Sequence, residues 1–73
     1  MKRQPTEKEI GREAFALYAR AVAAFQSGEA LLPLGLEKAR AALALLDALP
    51  RLTQEQLGIR EELTEYMEKS GRR

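Results

Sequence analysis

Cysteine and histidine are both absent from the 73-residue chain. The first absence excludes disulfides, thiolate zinc sites and cysteine nucleophiles together. The second removes the usual side chain of acid–base catalysis at neutral pH and a principal ligand of structural metals. An excess of charge of one sign is lacking as well. Lys and Arg number 12 against 11 Asp and Glu, a net charge of +1, so no bulk field draws the chain to nucleic acid or an anionic membrane. The basic pairs Lys2-Arg3 and Arg72-Arg73 read as solubilising ends. No apolar run approaches the roughly 18 residues of a membrane span, and Met1 to Arg20 lacks the hydrophobic centre of a secretory signal. These absences predict a soluble, cytoplasmic protein that is not an enzyme, with no metal, no cofactor and no small-molecule substrate.

Asparagine is missing too, Asp47 is the one aspartate, arginine outnumbers lysine and glutamate dominates the acids. Scarcity of thermolabile side chains predicts a thermophilic, GC-rich bacterial source.

Hydrophobic residues make up 45% of the chain, enough for one core. The pattern predicts a single all-α domain over 1–73, a three-helix antiparallel bundle with helices about 6–27, 34–49 and 53–70 and frayed tails at 1–5 and 71–73. The first helix is the organising element. Ile10, Ala14, Leu17, Ala21 and Ala24 recur at the three-and-four spacing of one helix face. A second stripe of Phe15, Tyr18, Val22 and Phe25 runs beside it, widening the face beyond a coiled-coil seam. Both phenylalanines are expected in the core. Thr6 and Glu9 form a capping box at the start, and Ser27-Gly28 ends the helix. Gly11, on the apolar side, predicts close approach of another helix.

Glu29 to Gly35 reads as an irregular apolar connector or one loose turn, because Gly35 follows Pro33 too closely for a firm helix start; exposed leucines there would mark a partner site. The second helix carries Leu36, Ala39, Leu43 and Leu46, and Pro50 stops it. Thr53 with Gln56 makes another capping box, and Leu52 with Leu57 is placed as a hydrophobic staple. The third helix buries a narrower stripe of Ile59, Leu63, Tyr66 and Met67. Its outer Glu61, Glu62, Glu65 and Glu68 read as a solvated face, since no second carboxylate cluster or histidine completes a di-metal site. Tyr18 and Tyr66 read as core-edge residues with wet hydroxyls. Ala16, Ala19 and Ala23 face water or a closely packed partner. Helix, turn and helix over Leu45 to Leu63 do not make a DNA reader, because Glu55, Glu61 and Glu62 stand where basic and amide side chains are needed.

Ala14, Ala21, the Phe25-Gln26-Ser27-Gly28 helix end, the alanine-rich second helix and the run Ile59-Arg60-Glu61-Glu62-Leu63-Thr64-Glu65-Tyr66-Met67 resemble the MIT domain, the three-helix microtubule-interacting and trafficking module. The first hairpin is also similar to one tetratricopeptide repeat (TPR) followed by a capping helix. The connector ALLPLG departs from both families, which turn tightly there. The resemblance implies a non-catalytic module whose interhelical groove takes a short partner helix, with apolar anchors at helical spacing and charge at the rim. The implied groove lies between the second and third helices and is bordered by Arg40, Leu43, Asp47, Ile59, Leu63, Tyr66 and Met67, so that Leu63→Asp abolishes partner binding. Two other readings stay open: a structural homo-oligomer closing through its alanine- and leucine-rich face, and a small regulator or inhibitor of an enzyme or a nucleic-acid-binding protein.

Overall fold

The computed structural model describes residues 6–71. They form three helices and no strand: α1 (Glu7–Gln26), α2 (Leu32–Asp47) and α3 (Gln54–Gly71), with a 3-10 turn at Glu29–Leu31 before α2. Residues 1–5, 72 and 73, expected as frayed tails, lie outside the described residues.

Local signals set the helix starts. Thr6 Oγ1 accepts the Glu9 N–H at 3.2 Å while the Glu9 carboxylate accepts the Thr6 N–H at 3.1 Å, so each side chain satisfies a backbone donor the helix leaves open. The same exchange opens α3, where Gln56 Oε1 accepts the Thr53 N–H at 3.0 Å and Thr53 Oγ1 accepts the Gln56 N–H at 3.1 Å. Gly28 closes α1 with φ +117°, a conformation that a side chain would strain.

The second helix begins earlier than the sequence suggests. The turn at Glu29–Leu31, tied by the Leu31 N–H to the Gly28 carbonyl at 3.2 Å, passes directly into helix at Leu32. Pro33 falls in the first helical turn, where its missing N–H costs nothing. Gly35 does not break the helix. It is buried beneath the Phe25 ring, and a Cβ there would stand 3.0 Å from two ring carbons, so its lack of a side chain admits that ring. At the other end α2 stops at Asp47 rather than 49, although the Leu49 N–H still reaches the Leu46 carbonyl at 3.1 Å before Pro50.

Contacts between side chains fix the topology. Phe25 lies on Gly35 at one end of α1, and Ile10 and Glu13 share a depression with Leu45 at the other, so α1 and α2 are antiparallel. Gly11 sits by Gln56, Tyr18 bonds Glu62 and Phe25 stacks on Tyr66, so α3 returns parallel to α1. The close neighbour at Gly11 is thus the Gln56 side-chain amide, at 2.8 Å from an ideal Cβ, and not a helix backbone.

The core is built mainly from alanine. Ala14, Ala21, Ala24, Ala39 and Ala42 are buried together with Leu46, Leu49, Ile59 and Leu63. Small side chains let α1 and α2 approach with Cα atoms inside 8 Å along much of their seam, which neither helix does so extensively with α3. The third helix is held off by Leu46, Ile59 and Leu63. Leu46 and Leu63 are the largest side chains that are fully buried.

Phe15 departs from the expected core, with 51% of its surface exposed. It lies at the outer edge of the second stripe, where its described ring contact is with Tyr18 of its own helix, the centroids 5.9 Å apart. Phe25 and Val22 from the same stripe are half-buried.

Gly58 is exposed within α3, and a Cβ there would meet nothing within 4 Å. Gly58→Ala should therefore raise unfolding stability by about 0.5–1 kcal/mol in urea titration, the helix-propensity difference alone. No gain would show that α3 is frayed at this position.

Candidate functional site

The seven residues expected to border a groove between α2 and α3 do not line one open surface. Ile59 and Leu63 belong to the chain's own core, 6% and 0% exposed. Neither is available as an anchor for a partner. Tyr66 turns toward α1, where its ring stacks on Phe25 at 4.8 Å and 4°. Leu43 and Met67 are half-buried against the core, and Arg40 and Asp47 are exposed. The ion pair between Asp47 and Arg60 spans α2 and α3 at 3.9 Å; on so exposed a surface it stabilises the fold by less than about 1 kcal/mol. Periodicity placed Ile59 and Leu63 on an apolar face, and the structure turns that face inward.

Tyr18, half-buried at the core edge, has a partner for its hydroxyl. It donates to Glu62 Oε1 at 2.8 Å, across α1 and α3. The hydrogen bond to the carboxylate, then burial, then the negative charge of Glu62 raise its pKa above the ordinary tyrosine value of 10.0. A raised acid pKa in the folded state means that this stabilisation is fully present below about pH 10 and is lost as pH rises through the folded value. Wild-type stability should fall across that alkaline window more steeply than that of Tyr18→Phe. Parallel urea curves for the two proteins at each alkaline pH would refute the coupling.

Among the described residues, no three His, Cys, Asp or Glu side chains gather as a metal site would. No described helix is long and apolar enough to cross a membrane. Glu61, Glu65 and Glu68 are exposed. A surface depression of about 860 Å³ is lined by Leu57, Arg60, Glu61, Thr64 and Glu65, all from α3. It is the flank of one helix, and its lining supplies no second wall to enclose a ligand.

Unsatisfied apolar surface lies elsewhere. Phe15, Leu31, Leu34 and Leu57 are 51%, 40%, 44% and 47% exposed. Leu31 and Leu34 stand one helical turn apart and join Ala23 and Ala24 of α1 in a two-walled depression of about 340 Å³. Ala16, Ala19 and Ala23 are exposed as the periodicity predicts. The leucines of the ALLPLG segment are the part of this surface that the sequence marked.

Comparison of the chain with protein-family models, with curated proteins and with solved structures finds no match.

Proposed function

We propose that the protein is a non-catalytic helical interaction module, a small adaptor or assembly subunit that takes a helix from a partner protein on its surface. The observation that supports this most is the contrast between a core closed by alanines and four large apolar side chains left in solvent. Single exposed apolar residues are ordinary, but Leu31 and Leu34 together on a concave surface with Ala23 have the arrangement of anchor sites for a helix. The mode is the helix-in-groove recognition that the MIT-like and TPR-like resemblance implies. The composition supports a thermophilic, cytoplasmic setting, with a thermal midpoint above the usual range of about 45–65 °C.

Self-assembly is the second reading, favoured by the exposed Ala16, Ala19 and Ala23, which would let a symmetry mate approach closely. Light scattering over a range of concentration separates the two. A monomer throughout, together with a stoichiometric partner captured by the wild type and released by one of the folded variants Phe15→Glu, Leu34→Glu or Leu57→Glu, supports the module. A dimer, or capture indifferent to all three substitutions, refutes it.

A further inference from the structure

We infer that the depression between the C-terminal half of α1 and the N-terminal half of α2 is the docking site, and that its occupant is a partner helix with aliphatic anchors followed by acidic residues. This deepens the reading above and rests on it. One wall is Arg20 and Ala23 of α1 with its cap residue Ser27, and the other is Leu31 at the end of the 3-10 turn with Leu34 and Lys38 of α2. Both rows step by three and then four residues, so each presents one helix face. Because the helices are antiparallel, Ser27 and Leu31 lie at the end near the connecting turn, and Arg20 and Lys38 lie together at the opposite end. The site is therefore polarised, apolar along Ala23, Leu31 and Leu34 and cationic beyond them.

Charge sets it apart from the rest of the surface. The depressions along α3 and at the start of α1 carry two glutamates each against at most one cation, as Glu61 and Glu65 with Arg60, Glu62 and Glu65 with Lys69, and Glu9 and Glu13 with or without Arg12. The lining at Leu31 and Leu34 contains no carboxylate. In a chain of net charge +1, two cations at one end of an apolar trough select a partner with carboxylates at the matching end and repel a basic one. An anionic membrane fits less well, because stable surface binding asks for a projecting apolar face and several more basic residues, whereas this surface is concave.

The test uses the full chain and a displayed library of 18-residue helices with their apolar-face and flanking positions randomised. The expected winners carry Leu, Ile or Met one turn apart with Asp or Glu one to two turns beyond. On isotope-labelled protein they shift the amides of Ala23, Leu31, Leu34 and Lys38. The double variant Arg20→Glu, Lys38→Glu, checked for retained helicity, should lose at least about tenfold in affinity, as truncated or reversed charge pairs do. A peptide with its acids changed to lysine should recover binding to that variant. Winners without an acidic preference, or shifts centred on Leu43 and Met67, would overturn this site while leaving the interaction module standing. Failure to select any helix would remove both. Self-association abolished by Leu34→Glu would make the occupant a second copy, and Lys38-dependent binding to phosphatidylserine vesicles would make it a membrane; either overturns the inference.

Discussion

Leu63→Ala should lower unfolding stability by about 2–5 kcal/mol, a drop in thermal midpoint of roughly 10–30 °C for a domain this small. Leu63 is 0% exposed and, with Leu46, is one of the largest side chains fully enclosed. Leu63 shares its core with four alanines and with Leu46, Leu49 and Ile59, and close-packed neighbours relax only in part into the space left by removed carbons. Loss of transfer free energy and an uncollapsed cavity therefore add. Leu63→Asp goes further, because a carboxylate at this position has no described polar group waiting for it and must either stay protonated or unfold the chain. Loss of partner binding in Leu63→Asp would report unfolding and not a lost anchor, which is why the surface leucines are the informative positions. A shift of less than about 1 kcal/mol for Leu63→Ala in urea would show that α3 is not held through this residue.

Capping signals were readable because they are local. Thr6 with Glu9 and Thr53 with Gln56 each need only a spacing of three residues, and both boxes form as the spacing predicts. Pro50 ends its helix for an equally local reason. Gly35 was unreadable for the opposite reason. Its role is to lie under Phe25, ten residues away in the chain and on another helix, and local propensity scores the same glycine as a helix breaker. The groove residues failed in a third way. Spacing puts Ile59, Leu63, Tyr66 and Met67 on one stripe, but says nothing about which part of the stripe meets the chain's own helices. Leu63 faces the seam, Tyr66 goes to Phe25, and the stripe is used up internally. Phe15 is the converse case: an apolar residue at helical spacing that the described elements leave 51% exposed. The sequence did mark Leu31 and Leu34 as conditional, and their exposure turns that condition into the candidate site.

Ala42→Leu should destabilise the fold by about 1–3 kcal/mol or more, although it adds apolar carbon to a core that has little. Ala42 is fully buried, as are Ala39 on the same helix and Ala14 and Ala21 on α1. The register places them opposite one another, between the Phe25–Gly35 contact at one end and the meeting of Ile10 and Glu13 with Leu45 at the other. Three further carbons at such a seam have no void to enter, so the helices must part or the side chain must leave its rotamer. Parting them would break the van der Waals contact of the other alanines along the whole seam, which is why the cost exceeds that of an isolated clash. Ala19→Leu is the matched control. It makes the same chemical change on the same hairpin at an exposed position, and should stay within about 0.5 kcal/mol. The difference between the two, read from urea midpoints at equal slope, measures how tightly α1 and α2 are held. The trough proposed as the docking site is walled by the same two helices, so its width is set by the same alanines. Ala42→Leu should then weaken selected helices even where enough protein remains folded to bind them, whereas Ala19→Leu should not. Equal unfolding midpoints for the two variants would mean that the hairpin yields easily, and that its trough has no fixed width for a partner to fit.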